Sequence, residues 1–471
     1  MTLPARAPRA APAQRVGTAE VRALARELGG AAIHREDSAY AAAAASAFPN
    51  PEVLWEPDVV VVPSGVADVI TAVRWAAGRR LQVAVRAGGV GWKGARGGTV
   101  LLDLRALRGI WLDPARRSVR VQGGAIWRDV HRELAPFGLA AAGPQFPRLG
   151  VAGHVLGGGH GWLSNKLGWA SDTLLSADVV TADGRLVHAD HDHEPELFWA
   201  LRGAGHEVGV VVGLELALLP LEQVSTGAVW FGPERVAELL AHYGTWAPDG
   251  PDELSTLVSI AHPPPGLPVA PHLRGRPLPH VLLCHCGTPE QAAADLAALR
   301  GLGGVVADTV RQLPWPELAM GKDAFAGGMH RRTRMHYVRG LSAELAALAA
   351  ERSRDLPPLC FAGVHRYGGA LARVDEDATA MSHRDQPWNF MVQASWTPVE
   401  DATSRRVWMD AFLAGLAPHA ANAFYVNYLF DEPEHVPAAY NARAWARLQT
   451  VKREWDPAGV IAGHVSDRIA R

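Results

Sequence analysis

The stretch Phe146–Gly161, FPRLGVAGHVLGGGHG, gathers six glycines at 150, 153, 157, 158, 159 and 161. Glycine at this density admits positive φ and lets main-chain N–H groups approach a ligand, which is how phosphates and flat cofactor rings are held. A flexible surface loop would not interleave Val151, Val155 and Leu156 so regularly. A second glycine-rich segment, AGGVGWKGARGG, follows the apolar run Leu81–Arg86. Its Gly89, Gly91 and Gly94 satisfy G-x-G-x-x-G, but a dinucleotide fold needs a helix to start there and an acidic residue about 20 positions on, and neither follows. The segment reads as a loop of backbone donors between strands, an anion nest suited to a pyrophosphate.

His188, His191 and His193 in HADHDHE could bind a metal, but they follow ADGRLV, a hairpin pattern in which a solvated polar turn is more usual. No metal is expected. Cys284, Cys286 and Cys360 are too few for a disulfide framework or a four-ligand zinc site, and strand packing accounts for them.

A chain of 471 residues is long enough for roughly two to three domains. Its 46 Lys+Arg against 48 Asp+Glu give a net charge of −2, so no basic excess points to nucleic acid or an anionic membrane. No apolar run reaches the length of about 18 residues that would span a bilayer, and MTLPARAPRAAPAQRVG lacks the apolar segment of a signal peptide. A small-molecule ligand, a cytoplasmic location and a monomer or homodimer are the expectations.

The elements that must position these residues follow an α+β pattern. A tail to Val16 precedes a helix near Glu20–Leu28, capped by Gly29-Gly30 and packing outside the main fold. Asp58–Val62 is a short strand ended by Pro63, and Ser64 is a candidate N-cap for a helix presenting Val66, Ile70 and Val73. Strands are expected at Leu81–Arg86, Val100–Leu104, Gly109–Leu112 and Ser118–Gln122. Ala292–Leu299 and Leu341–Glu351 read as amphipathic helices, between proline-rich loops at 263–268 and 274–279. Asn389–Trp396 alternates along a strand, with Met391, Gln393 and Ser395 on one face and Phe390, Val392, Ala394 and Trp396 on the other.

PDVVVVP (57–63), VRAGG (85–89), LLDLRAL (101–107), the glycine stretch, SADVVTADGRLV (176–187), ELFWALRGAG (196–205) and GVVVGLELALLPL (209–221) together resemble the flavin domain of berberine bridge enzyme-like oxidoreductases, of the vanillyl-alcohol-oxidase type. The resemblance resumes at 368–389 and 424–460 and covers most of the chain. It implies a PCMH-type, two-part FAD-binding domain over 17–221 with its core at about 55–221, after a flexible tail at 1–16. A substrate domain with a large antiparallel sheet would occupy 222–420 and roof the flavin, and 421–471 would return to the flavin domain.

By the same resemblance Arg86, Ala87, Gly88, Gly89, Val90, Gly91 and Trp92, with Phe146, Leu149, Gly150, Gly153, His154, Gly157, Gly158 and Gly161, would hold FAD. Val210 and Val211 would lie against it, and Tyr425 and Asn427 would stand near the ring. Tyr428, Tyr425 and Gln393 are the implied catalytic residues, Tyr337, Tyr367, Tyr425 and Tyr428 being candidate bases in a family that often uses tyrosine to take a substrate proton, which requires a lowered pKa; the Met391–Gln393–Ser395 face would look at substrate. His383 and Arg384 are expected to be structural. Many relatives carry a tethering His at the position of Val90 and a tethering Cys at that of Phe146; neither nucleophile is here, so the expected FAD is non-covalent. The usual Gly-Gly-Asn-Phe-Gly-Val-Val-Thr reads Gly205-His206-Glu207-Val208-Gly209-Val210-Val211-Val212. Three functions follow: an FAD-dependent oxidoreductase on a bulky natural-product substrate, a non-redox cyclase or isomerase retaining the flavin, and a silent flavin or ligand carrier.

Overall fold

The computed structural model describes residues 16–45, 56–90, 97–321, 329–429 and 432–463. The fold is α+β, built on three main sheets. The first contains β1 (Ala31–His34), β2 (Val59–Val62), β3 (Gln82–Arg86) and β4 (Thr99–Asp103) in the order β1-β2-β4-β3. β2, β4 and β3 run parallel, and Val59, Val60 and Val61 of β2 and the Val-Leu-Leu run of β4 are buried on both faces, as parallel strands require.

Two helices cover this sheet: α1 (Thr18–Glu27) and, beyond the short α2 (Tyr40–Ala44), α3 (Val66–Ala77). The expectation that α1 packs outside the main fold is corrected, because Val21 and Leu24 lie in the same core as Val69, Val73 and Val83. Gly29-Gly30 is not a left-handed cap either. Both N–H groups donate to the Asp68 carboxylate, at 3.0 and 2.9 Å, and a Cβ on Gly30 would fall 2.1 Å from the Val62 oxygen. The same carboxylate takes the Ser64 N–H and hydroxyl, so the N-cap of α3 is Gly65 and not Ser64.

The second sheet is antiparallel: β5 (Ile110–Asp113) and β6 (Ser118–Gln122) join three later strands, and a short β7 (Leu139–Ala140) stands apart. β8 (Leu174–Val180), β9 (Leu186–Ala189) and β10 (Val210–Ala217) complete the order β5-β6-β10-β8-β9, and β11 (Leu219–Pro220) pairs β7. Its inner face packs on α4 (Trp127–Leu134), α5 (Val151–Leu156), the α7 helix (Pro195–Ala204) that follows the single turn α6 (Ser164–Leu167), and a late helix, Ala442–Trp455.

The third sheet begins at β12 (Gln223–Phe231) and includes β13 (Leu254–Ala261), β14 (Leu278–His285), β15 (Val305–Asp308), β16 (Arg311–Pro314), β17 (His330–Val338), β18 (Phe361–Arg366) and β19 (Trp388–Trp396). These pair antiparallel in the order β15-β12-β14-β13-β18-β19-β17, with β16 alongside β12. One face is closed by α8 (Val236–Trp246) and the helices Ala343–Ser353 and Thr403–Leu416 around an apolar core. The apolar stretch expected as one helix at 292–299 is broken into Pro289–Asp295 and Ala297–Gly301.

The last residues return to the first sheet. Val83 donates to the Val460 carbonyl at 2.7 Å and accepts from Ala462 at 2.8 Å, a single parallel bridge on the free edge of β3. Lys452, 2 % exposed, fixes this return through Asp456 (2.6 Å) and the carbonyls of Glu207 (2.6 Å) and Ile461 (3.1 Å).

Candidate functional site

The two glycine segments meet backbone to backbone. A Cβ on Gly88 would lie 2.3 Å from the Gly150 nitrogen, and one on Gly150 would lie 2.3 Å from the Gly88 nitrogen, so neither position accepts a side chain. Within the second segment Val151–Leu156 is helical as α5, which the glycine content had concealed. Gly153, on this helix, borders open space in the direction of its missing Cβ.

The remaining glycines work differently from the expectation that their N–H groups face a ligand. Gly158 donates to Val155 O (3.0 Å), Gly159 to the Tyr425 hydroxyl (2.8 Å) and Gly161 to the Ser164 hydroxyl (2.8 Å). Gly158 and Gly159 turn the chain at φ +103° and +87°, and a Cβ on Gly157 would meet the Asn427 carboxamide at 2.1 Å. One on Gly161 would meet the Gly143 oxygen at 1.8 Å. This turn is glycine-rich because three chain segments cross there without room for a β-carbon.

Arg86 is also corrected. Its guanidinium is buried, pairs with Asp103 at 2.7 Å and donates to the carbonyls of Ala43, Ala44 and Ala45 at the end of α2. The side chain therefore braces the turn Ala87–Val90 from behind and does not reach into it. Ala87, Val90, Phe146 and Leu149 are half-buried, and Gly89 turns at φ +78°. Gly91 and Trp92 lie outside the described residues. The side chains of Val210 and Val211 enter two different cores, leaving their backbone as the surface available near Gly123. The ring of His154 points into the protein, with Nε2 at 3.1 Å from the His160 carbonyl and its edge against Trp127.

The third sheet presents registered rows across β17, β19 and β18. Tyr337, Asn389 and His365 form one row, Met335, Met391 and Gly363 the next, and Thr333, Gln393 and Phe361 a third. The alternation expected for 389–396 is as observed, since Phe390, Val392, Ala394 and Trp396 all point into the helix-covered core. Thr333, Gln393 and Phe361 are half-buried, and Gln393 bonds to Thr333 (3.1 Å) and Ser395 (3.2 Å). Gln393 lies about 13 Å along the strand from Asn389, four residues at the usual rise.

His160 joins the glycine turn to this ceiling. Its ring, half-buried, is 5.0 Å from that of His365 and 4.7 Å from that of Tyr367, which in turn is 5.1 Å from Trp169. Tyr425 lies 4.9 Å from Trp169 and 5.1 Å from Tyr428. The Tyr337 and Tyr367 hydroxyls, His365 Nδ1 and both polar atoms of the Asn389 carboxamide make no hydrogen bond of normal geometry. The Asn389 carboxamide does lie beside the Tyr367 hydroxyl, slightly offsetting its burial.

Burial dominates the electrostatics. It pushes Tyr428 up to about 12 and raises Tyr425, while Gly159 N–H and the Asn427 amide (3.2 Å) donate to the Tyr425 oxygen. Burial also brings His365 down to about 4, and burial plus the neighbouring histidines hold His160 well below its ordinary value. At neutral pH the tyrosines keep their protons and the histidines are uncharged. The condition attached to a tyrosine base, a lowered pKa, is not met. Asn427 also donates to the His154 carbonyl at 3.0 Å, so the Tyr425–Asn427 pair clamps α5 and the glycine turn.

Arg384 is structural, as expected, forming a two-pronged pair with Asp172 at 2.7 and 3.0 Å; His383 Nε2 lies 3.0 Å from the Ala438 carbonyl. On the outer surface His188 is held by Asp178 (2.8 Å) and His193 by Asp190 (2.9 Å), and no group of three potential ligands is arranged for a metal among the described residues. Sequence reasoning missed His160, His365 and Asn389. Asn389 already opens the expected strand and shares the parity of Met391, Gln393 and Ser395, so the alternation itself would have found it; nothing local marks His365, because its placement depends on strand register.

Residues 57–190 match the FAD binding domain family model FAD_binding_4. Over 429 residues the chain is 30% identical to (R)-6-hydroxynicotine oxidase of Paenarthrobacter nicotinovorans, covering 86% of this chain and 89% of that protein. It is 25% identical to Berberine bridge enzyme-like D-1 of Nicotiana tabacum, over 79% of this chain and 72% of the other. The crystal structure of 6-hydroxy-D-nicotine oxidase from Arthrobacter nicotinovorans superposes with a TM-score of 0.81 at 27% identity, over 93% of this chain and 97% of that one. A chitooligosaccharide oxidase shares the fold alone, with a TM-score of 0.83 at 19% identity over 95% and 98% of the two chains. No helix among the described residues is long and apolar enough to cross a membrane. The chain thus belongs to the FAD-linked oxidoreductases that include the berberine bridge enzyme-like proteins and (R)-6-hydroxynicotine oxidase.

Proposed function

We propose that this protein oxidises a bulky small-molecule substrate by removing a hydride and a proton, using FAD held without a covalent bond. The observation that supports this reading is His160: it leaves the glycine turn, and its ring packs against His365 and Tyr367 beside the third sheet, so the glycine segment and that sheet meet at one place. The residues fit the cofactor. The turn Ala87–Val90 abuts Gly150, Gly153 fronts open space that a β-carbon would enter, and Val90 and Phe146 offer no nucleophile. When bound, FAD supplies a two-electron acceptor for the hydride.

The protein's own groups bind, orient and move the proton. Met335, Met391 and Phe361 supply the apolar wall, and Gln393 with Thr333 a polar rim. Tyr425 and Tyr428 serve as hydrogen-bond donors that keep their protons, in place of the tyrosinate base anticipated from the sequence. The uncharged imidazole of His160 is the group able to accept a proton at neutral pH.

The protein is to be loaded with FAD, precipitated with acid, and incubated with candidate substrates under mass detection. Complete release of yellow colour and a product two mass units lighter are expected. Flavin remaining on the denatured chain refutes the non-covalent reading. A product of unchanged mass with the flavin still oxidised replaces the redox reading by the non-redox cyclisation.

A further inference from the structure

We infer that the free edge of β5, with the cleft beside it, takes up an extended acidic segment of a partner protein as an added strand. Neither feature belongs to the glycine turn or to the third sheet.

β5 ends the second sheet, with β6 on one side and no strand on the other. Gly109 accepts from the Gln122 N–H at 2.9 Å, and antiparallel bonding alternates from there. Trp111 and Asp113 therefore bond to Arg120 and Ser118, while the N–H and C=O groups of Ile110 and Leu112 turn outward. These outward groups have no backbone partner among the described residues. An open edge is usually blunted by a proline, a lysine or a bulge, and Ile110-Trp111-Leu112-Asp113 has none of these. Trp111, 56 % exposed, stands on the outer face of the same strand.

Beside the edge lies a cleft of about 550 Å³ whose lining includes Ile110 and the exposed Arg108, Arg128 and Arg132. Arg132 is matched by Asp129 and Glu133 of its own helix, at 3.9 and 3.2 Å. Arg108 and Arg128 make no ion pair or side-chain hydrogen bond among the described residues, and they give the cleft its positive excess. The first N–H groups of α4 are already taken, Trp127 by the Leu149 carbonyl (3.0 Å) and Arg128 by the Pro147 carbonyl (2.7 Å), so side chains and not the helix end supply the charge. On an added strand, the residues opposite Ile110 and Leu112 send their side chains to the inner face, as Ile110 does toward the cleft, and the residue between them lies beside Trp111. Glutamate or aspartate opposite Ile110 and Leu112 meets Arg108 and Arg128, whose planar forks match carboxylates. A second copy of this chain fits worse, because pairing β5 with its own copy would set the two arginine clusters against each other.

The test uses the full-length protein as purified and the unlabelled peptide acetyl-Glu-Val-Glu-Val-Glu-Val-amide, with binding followed by ligand-observed NMR and calorimetry. The peptide is expected to bind, and Arg108→Gln and Arg128→Gln, both surface changes, should each weaken it roughly tenfold, the value of one charge-assisted hydrogen bond. Two control peptides, one with lysine for each glutamate and one methylated on every backbone nitrogen, should not bind: the first lacks the charge and the second the strand donors. Absence of binding at millimolar peptide, equal binding of either control, or an affinity unchanged in both arginine variants overturns the proposal. So does a dimer in sedimentation that Trp111→Lys dissociates, since a second copy would then occupy the edge.

Discussion

Lowering the pH from 8 to 5 should unfold this protein, because four buried histidines are held neutral. His131, His154, His280 and His365 are each brought down from the ordinary 6.5 to about 4 by burial. A depressed folded pKa means that the stabilisation is complete above 6.5 and is lost as pH falls toward 4. At pH 5 the unfolded imidazole is almost fully protonated and the folded one scarcely so, which by linkage costs ~2 kcal/mol per group. The four together lose ~8 kcal/mol at pH 5 and ~3 kcal/mol at pH 6, against a total stability of roughly 5–15 kcal/mol for a folded protein. Carboxylates do not cause this loss. Glu196, hydrogen-bonded by Arg447, and Glu253, hydrogen-bonded by Lys166, are held below the usual range, so they give way only at lower pH. The assay is urea unfolding followed by circular dichroism at pH 8, 6 and 5, on the unaltered chain and on His131→Leu. His131 makes no hydrogen bond through either ring nitrogen, so the substitution removes titration without removing a bond. Between pH 8 and 5 the variant should lose ~2 kcal/mol less than the unaltered protein. A midpoint that does not move between pH 8 and 5, or a variant that falls in parallel with the unaltered chain, refutes the reasoning.

Gly161→Ala places a β-carbon 1.8 Å from the Gly143 oxygen and should cost ~3 kcal/mol by overpacking, whereas Gly153→Ala, facing open space, should fold normally and weaken FAD binding; denaturation and flavin titration separate the two. Tyr425→Phe leaves the Gly159 N–H without its 2.8 Å acceptor and should destabilise by ~1–3 kcal/mol with weaker flavin retention; unchanged stability would count against the clamp. Asp172→Asn leaves the Arg384 guanidinium buried without its counter-charge, and a loss of ~3–5 kcal/mol is expected in the same unfolding assay. Leu149, half-buried and set against the flavin by the resemblance, fills space that a valine would leave open to oxygen, so photoreduced enzyme should reoxidise slowly in air and Leu149→Val faster; rapid reoxidation of the unaltered enzyme would contradict this.

The sequence by itself determined the α+β class, the strand at Ser118–Gln122 and the two-faced alternation of Asn389–Trp396. These rest on periods and backbone preferences that act within a few residues, so a local window contains them. Only the tertiary structure decided what those elements do. The glycines at 157–161 are needed because Asn427, Tyr425 and Gly143 cross their backbone, and the N–H groups expected to face a cofactor are satisfied inside the protein. Arg86 looks like a phosphate ligand until Asp103 and the end of α2 occupy its guanidinium. His160 and His365, separated by 205 positions, become ring neighbours through strand register and the docking of the third sheet against the glycine turn. Neither leaves a periodic trace in the chain, and the burial that keeps both imidazoles neutral is a property of that docking.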